Sequence, residues 1–326
     1  MMNFFHNMKL IPKNFVVAGI VDTLKSDPEA GAQKVFDLAD KFVTDEAMIE
    51  LLEEVKDAYY SRSSVRMYLK NLIYNTNKSA LNHFLNNLVV KHLIDGAELR
   101  EEIGQKLGKQ IPYSFILNIG AGKKTMPEKE ISRLVDEAKA LGLHFIIVSG
   151  TGLNHPGFWA VCEKNSDVQF LVFSRMKEIN GAVCQRLEAF PNIVPLIIAG
   201  TDPEGDMSPL KASGLLFGTL SETKPENFEA VTSDACVLPY IRQGSRISFF
   251  VTSKEAAINP DELLRIKHRI DYIRQVRPYI TVHVESEKNG LEGHLHFEEL
   301  IKDRVFQTKI PEIGPDLGKK KLVELF

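Results

Sequence analysis

The stretch from Lys129 to Gly150, KEISRLVDEAKALGLHFIIVSG, decides the fold class. Apolar residues recur at steps of three and four through Lys129–Leu141, a period that predicts an amphipathic helix. The short apolar run His144–Ser149 follows at once and predicts a buried strand. A helix that leads directly into a buried strand is the repeating unit of α/β folds with parallel sheets.

This unit recurs on both sides of the quoted stretch. We predict strands at Tyr113–Ile119, His144–Ser149, Gln169–Phe173, Ile193–Ala199, Phe228–Thr232, Ile247–Thr252 and Ile280–Val284. Helices such as Lys129–Leu141 and Pro260–Val276 separate most of them. Six or seven units suit a partial or full (β/α) barrel of the TIM type, or a doubly wound sheet, and in both architectures ligands bind at the carboxyl ends of the strands.

Three segments differ in their periodicity. Residues 1–111 predict a small all-helical domain, in which Asp27-Pro28-Glu29 and Thr44-Asp45-Glu46 carry helix-start chemistry. Residues 112–286 predict the barrel domain, with capping boxes at Thr125–Glu128 and Asn259–Glu262. Residues 287–326 predict an irregular tail with one short helix around Phe297–Lys302, because polar residues and breakers dominate there.

The composition and charge of the chain argue against nucleic-acid-binding and membrane-binding functions. The chain has 326 residues, 44% hydrophobic and 25% charged, with a net charge of −3. Nucleic acids and anionic membranes select clustered Lys and Arg, so we expect neither as a partner. No apolar stretch approaches the about 20 residues of a membrane span, and three widely spaced cysteines fit a reducing, cytoplasmic location.

The order of motifs resembles the radical S-adenosylmethionine (radical SAM) superfamily. The matching residues are AKALGLHFIIVSG from Ala138 to Gly150, CEKNSD from Cys162 to Asp167, the strand Phe170–Phe173, and the segment from Asn259 to Pro278. In that family the same order appears: a helix, a strand ending in Gly-Gly-Glu-Pro, a further helix and a Phe-Leu strand. The resemblance covers most of the chain and implies a barrel of the radical SAM type preceded by helices.

Two parts of the family's cofactor site are missing. The family holds an iron–sulfur cluster with Cys-x3-Cys-x2-Cys in a loop after its first strand, and the cluster binds S-adenosylmethionine. Here the first predicted strand is followed directly by Gly120-Ala-Gly-Lys-Lys124, and no cysteine precedes Cys162. The Gly-Gly-Glu-Pro acid is also absent, because Gly150-Thr151-Gly152-Leu153 stands in its place.

These departures imply a degenerate homologue, a pseudoenzyme without an iron–sulfur cluster that acts as a binding or partner protein. Its partner would be a catalytic radical SAM enzyme or a second copy of the chain. We expect no cofactor, since S-adenosylmethionine would lose its bond to iron. Two alternatives stay open: a redox-neutral enzyme or small-anion-binding protein that uses the barrel cleft, and a structural, oligomerising protein.

We assign no catalytic residue and no metal ligand. Glycines between a strand and a helix start let backbone N–H groups converge on an anion, and lysines add charge. The loop after the second strand carries a histidine, and alternation places His283 and Glu285 on one strand face that could point into the barrel. The candidate ligand-binding residues are Gly120, Gly122, Lys123, Lys124, Gly150, Thr151, Gly152, His155, His283 and Glu285.

Overall fold

A computed structural model describes most of the chain. The described residues are 13–42, 46–120, 124–150, 152–199, 206–231, 233–253, 258–276, 280–286, 295–301, 304–316 and 320–326.

The amino-terminal part of the described chain is helical, as the sequence predicts. Its α-helices are α1 Lys13–Ser26, α2 Pro28–Phe42, α3 Glu46–Ser61, α4 Ser63–Asn75, α5 Lys78–Phe84 and α6 Gly96–Leu107, and a π-helix at Leu85–Asp95 joins the last two. The Asp27 carboxylate accepts from the backbone N–H groups of Glu29 and Ala30, both at 3.1 Å, which confirms the predicted start of α2. Thr44 and Asp45 lie outside the described residues.

Strands and helices alternate after residue 115. The strands are β1 Ile116–Asn118, β2 Phe145–Ser149, β3 Gln169–Arg175, β4 Ile193–Ile198, β5 Gly218–Thr223, β6 Ile247–Ser253, β7 Ile280–Ser286, β8 Leu295–Ile301, β9 Arg304–Ile310 and β10 Glu312–Ile313. The helices are α7 Glu128–Ala140, α8 Pro156–Lys164, α9 Gly181–Ala189, α10 Ser208–Ala212, α11 Phe228–Val231, α12 Asp234–Arg242, α13 Pro260–Val276 and α14 Leu322–Leu325. Short 3₁₀ turns occur at Gly152–Asn154, Met176–Glu178 and Pro225–Asn227.

The strands form a curled α/β barrel sheet, which confirms the predicted fold class. Its order is β10-β1-β2-β3-β4-β5-β6-β7-β8-β9. Every neighbouring pair from β10 to β7 is parallel, while β8 and β9 are antiparallel additions. In the described chain, eight parallel strands thus make a partial barrel.

The antiparallel hairpin β8–β9 extends the sheet beyond β7. Only Pro311 separates β9, at one end of the strand order, from β10, at the other end. Because consecutive Cα atoms are about 3.8 Å apart, the two edges of the sheet must meet at this residue. The backbone N–H of Ile116 donates to the Pro311 carbonyl at 2.8 Å across the seam.

Several sequence predictions are wrong in this region. The segment Phe228–Thr232 was predicted as a strand but its described part is helix α11, since Phe228 and Val231 face one apolar cluster at helical spacing. The strand of this region is β5, which precedes α11 in the chain. Its sequence GTLSET is polar, so a search for apolar runs does not find it. The predicted short helix at Phe297–Lys302 overlaps β8, whose pairing with β7 outweighs its local polarity.

One of the two predicted capping boxes is confirmed. Asn259 and Glu262 exchange side-chain and backbone hydrogen bonds at 2.9 and 3.1 Å before α13. The other is wrong: α7 begins at Glu128, after Pro127 and without a side-chain cap. Thr125 instead belongs to the tight β1–α7 connection, which the Met126 N–H closes by donating to the Ile119 carbonyl at 2.9 Å. The domain boundaries at residues 111 and 286 stay predictions.

The helical part packs on the loops that precede the strands. Asn77 donates through its backbone to Gly214 at 2.7 Å, and the Asn87 side chain donates to the Ser166 carbonyl at 2.9 Å. Buried Arg100 donates to the Gly142 carbonyl at 2.7 Å. The accepting loops lead into β5, β3 and β2, so the helical part covers the amino end of the barrel.

A buried histidine makes this interface sensitive to acid. The His92 ring accepts from the His144 backbone N–H at 3.3 Å, and burial, with Arg100 and His144 nearby, lowers the pKa of His92 from 6.5 to about 3. Unfolding restores the ordinary pKa of His92, so between these two pKa values the unfolded chain binds a proton at this histidine and the folded chain does not. Stability is therefore complete above pH 6.5 and falls as the pH drops below it.

We expect the free energy of unfolding to fall by about 2 kcal/mol between pH 6.5 and 5 through this group alone. His92→Asn keeps an acceptor and should remove that part of the slope. Denaturant titrations at both pH values measure it, with exposed His268→Asn as the control. An unchanged pH dependence in His92→Asn would contradict the assignment.

Candidate functional site

A polar ring lies on the concave face of the sheet, at the carboxyl ends of the strands. The concave face carries an inner apolar cluster to which most strands contribute, including Ile116, Ile147, Phe173, Leu220, Val251, Val284 and Ile310. Side chains two residues apart on a strand share a face. Two residues beyond six of these positions, on the same strand, stands a polar residue: Asn118, Ser149, Arg175, Glu222, Ser253 and Ser286. Glu312 of β10 contacts Asn118, and these seven residues form the polar ring.

The ring is built on the seam of the barrel at one side. The Asn118 amide donates to the Glu312 carboxylate at 2.6 Å, and its oxygen accepts from the Gly120 backbone N–H at 2.9 Å. Asn118 therefore joins β1, β10 and the turn that follows β1. Its side chain is fully used in holding this part of the ring together.

Ser149 is the buried member of the ring on β2. It pairs in register with Asn118 and is 6% exposed. Its hydroxyl oxygen is buried and has no hydrogen-bond partner among the described residues. A buried hydroxyl that lacks a partner costs free energy, about 1–3 kcal/mol, so this atom has unused capacity to bind.

Charged groups stand on the neighbouring strands. Arg175 ends β3 and is exposed, and its backbone N–H donates to the Glu178 carboxylate at 3.0 Å. Burial raises the pKa of Glu178. On β5 the Glu222 carboxylate lies 3.2 Å from the Lys224 ammonium. The ring thus holds hydroxyls, amides and both signs of charge above an apolar floor.

The structure brings together two of the predicted ligand residues, Gly120 and Gly150. Both have positive φ, 78° and 91°. A Cβ on Gly120 would lie 1.9 Å from the Lys124 carbonyl oxygen, and one on Gly150 would lie 2.5 Å from the Gly120 carbonyl oxygen. The turns after β1 and β2 therefore pack backbone against backbone beside Ser149, where no side chain fits.

The lysine of this turn is exposed to solvent. The Lys124 side chain is 80% exposed, and its ammonium lies 3.9 Å from the Asp316 carboxylate. The predicted residues Gly122, Lys123 and Thr151 lie outside the described residues. Gly152 packs against β3, since a Cβ there would lie 3.0 Å from the Phe173 carbonyl oxygen.

His155 is a helix cap rather than a ligand group. Its Nδ1 accepts from the Phe158 backbone N–H at 3.1 Å, and its Nε2 donates to the Met126 carbonyl at 2.9 Å. These two bonds fix the tautomer and occupy both ring nitrogens. The structure thus replaces the predicted ligand role with a structural one.

His283 and Glu285 share one face of β7, as predicted, but that face is turned away from the barrel interior. Val284 belongs to the inner apolar cluster, so the alternate positions face the helix layer. His283 pairs with Phe250, which packs on α13, and its Nε2 lies 3.0 Å from the Thr252 hydroxyl. The prediction was wrong on this point because alternation gives the period but not which face is inward.

Two of the three cysteines also lie in the helix layer. Cys162 on α8 and Cys184 on α9 are buried in the apolar cluster between sheet and helices. Burial raises the pKa of both thiols, that of Cys162 well above its usual range. Among the described residues, no group of three His, Cys, Asp or Glu is placed to hold a metal ion.

The sequence analysis did not find the ring residues. The sequence does carry a signal for them, because each lies near the end of a strand, at the last position that faces the barrel interior. Strand register and strand ends together would have selected these residues. Strand ends are the least certain part of such a prediction, and Arg175 lies two residues beyond the predicted end of β3.

Comparisons with known proteins leave the family open. No family model matches the chain, and no curated protein matches it. SuiB from Streptococcus suis bound to S-adenosylmethionine is 11% identical over 71% of this chain and 67% of its own, with a TM-score of 0.45. A type I 3-dehydroquinate dehydratase from Clostridium difficile is 8% identical over 53% and 74%, with a TM-score of 0.40.

A third solved structure is a radical S-adenosylmethionine methyltransferase, TsrM from Kitasatospora setae. It is 12% identical over 39% of this chain and 30% of its own, with a TM-score of 0.30. The structural neighbours thus include radical SAM proteins at low identity. Scores at this level assign neither a family nor an activity to the chain. Within the described residues, no helix is long and apolar enough to cross a membrane.

Proposed function

We propose that this chain is a radical-SAM-like barrel without an iron–sulfur cluster, and that it works as a binding protein whose small ligand sits in the polar ring. The observation that carries the proposal is the placement of the cysteines. Cluster iron is held by converging thiolates. Cys162 and Cys184 are instead buried in the helix layer, where the raised pKa of Cys162 keeps its thiol protonated.

The strand ends also do not fit the family's cofactor. The β1–α7 connection contains no cysteine and is closed by the Met126–Ile119 hydrogen bond. Gly152 stands where the Gly-Gly-Glu-Pro acid would be, and β3 fills the space that a side chain would need. We therefore derive no radical step from this structure.

A redox-neutral enzyme is less well supported. Its predicted acid–base candidates were histidines, and His155 is fully bonded as a helix cap while His283 lies beneath α13. The polar ring nevertheless offers hydroxyl, amide and charged groups on an apolar floor. Such a surface suits ligand recognition, in which a few placed polar groups fix the orientation of a small molecule.

The test is iron and acid-labile sulfide content after anaerobic reconstitution of the whole chain. We expect well under one iron per chain and a flat visible spectrum, against about four irons for a [4Fe–4S] cluster. The variant with all three cysteines changed to serine is the matched control and should give the same background. A stoichiometric cluster in the wild type that the variant lacks would overturn the proposal.

A further inference from the structure

We propose that Ser149 and Arg175 bind the oxyanion group, a carboxylate or a phosphate, of the ligand in the polar ring. This inference rests on the proposed function, because it names the chemistry of the ligand at the same site. It stands on two independent features of adjacent strands. One is a buried hydroxyl without a partner, and the other is an arginine that ends the next strand on the same face.

The Ser149 hydroxyl is the first feature. It is more than nine-tenths buried, and within the part of the chain that the structure describes its oxygen has no hydrogen-bond partner. The preceding inward residue, Ile147, is in the inner apolar cluster, so the hydroxyl faces the ring. Folding leaves such a group unsatisfied only at a cost, and strain of this kind concentrates at binding sites.

Arg175 is the second feature. Phe173, two residues before it, lies in the inner apolar cluster, which places Arg175 on the concave face. The side chain is exposed, and its positive charge also acts on the half-buried Glu178 carboxylate nearby. A guanidinium binds carboxylate and phosphate with two parallel N–H bonds, which makes it suited to an oxyanion.

The register places the two groups around one small anion. Val148 pairs with Val172, so Ser149 lies beside Phe173 and Arg175 stands two residues further along β3. Strand spacing and rise then put the Cα atoms of Ser149 and Arg175 about 8 Å apart. The Arg side chain can close that distance onto an anion that also accepts from the Ser149 hydroxyl.

The groups around Ser149 and Arg175 have described partners of their own. Two carboxylates accept hydrogen bonds here: Glu312 accepts from the Asn118 amide, and Glu178 accepts from the Arg175 backbone N–H while it also interacts with the Arg175 charge. The close-packed glycine turns after β1 and β2 keep side chains away from Ser149. A ligand with an oxyanion and an apolar body would match the cation, the hydroxyl and the floor.

The experiment titrates inorganic phosphate and succinate separately into the whole protein, with ionic strength held constant by sodium chloride. Calorimetry and thermal unfolding report saturable binding. We expect wild type to bind at least one of the two anions, Arg175→Met to weaken it about tenfold or more, and Ser149→Ala about fivefold. Lys177→Met is the matched control, an exposed cation two residues away, and should bind as wild type.

The Tm of the Ser149→Ala variant without anion gives a second measurement. Because Ser149→Ala removes an unsatisfied buried hydroxyl, its Tm without anion should equal or exceed that of wild type, by up to about 4 °C. Binding of phosphate alone would indicate a phosphate ligand, and binding of succinate alone a carboxylate ligand. Absence of saturable binding, or equal affinity in wild type and Arg175→Met, would overturn the inference.

The two proposals can fail separately. A reconstituted cluster would overturn the cluster-free function whatever the anions do. A protein that holds no cluster and binds neither phosphate nor succinate would overturn only the proposal of an oxyanion site.

Discussion

Replacing Gly96 by alanine is expected to lower the free energy of unfolding by about 3 kcal/mol. Gly96 begins α6 and faces the loop before β2. A Cβ there would lie 2.2 Å from the Gly142 carbonyl oxygen. Because that atom is backbone, and Gly142 is itself pressed against Gly96, the clash can be relieved only by separating the helical part from the barrel.

The control is Gly19→Ala, on α1, where a new Cβ meets nothing within 4 Å. This substitution should raise stability by about 0.5–1 kcal/mol, since alanine is the better helix former. Chemical denaturation of the two variants measures the contrast. Equal stability of both would mean that the helical part does not dock closely on the amino end of the barrel.

The second large effect is expected at Asn192, which is buried just before β4. Its amide donates to three backbone carbonyls, those of Cys162, Asn165 and Val168, at 3.1–3.2 Å. Asn192→Ala leaves these acceptors buried without that donor, and we expect a loss of about 3 kcal/mol. The reason is desolvation rather than lost packing.

Asn75→Ala is the matched control for Asn192. The Asn75 amide donates to one carbonyl, that of Asn71 at 2.7 Å, and the side chain is exposed. Water can replace this bond, so the change should stay within about 0.5 kcal/mol. A small effect of Asn192→Ala would show that the three carbonyls find other partners.

The parts of the fold that periodicity predicts are those with one dominant burial signal. Helix α13 was predicted with its observed bounds, Pro260–Val276, because its cap and its period agree. Strands β2 and β3 are apolar on both faces, so their runs stand out. Strand β5 has no such apolar run, because its buried outer face carries three hydroxyl side chains, those of Thr219, Ser221 and Thr223.

The site is less predictable for a different reason. Its residues are single polar side chains at strand ends, and what unites them is lateral register across the sheet. Ser149 lies beside Asn118 only because β1 and β2 pair in one register. The turns at Gly120 and Gly150 could be predicted because their backbone chemistry is local, whereas the roles of His155 and His283 depend on residues far along the chain.

The seam at Pro311 has a consequence for how the chain folds. Asn118 and Glu312, which meet across it, are separated by 194 residues. Contacts of such sequence separation form slowly, because a long loop must close before they contribute. During synthesis, strand β1 therefore lacks its β10 partner until residues 312–313 have emerged. The β1–β10 pair can form only after translation of residues 311–313, so the Asn118–Glu312 side of the polar ring is the last part of it to assemble.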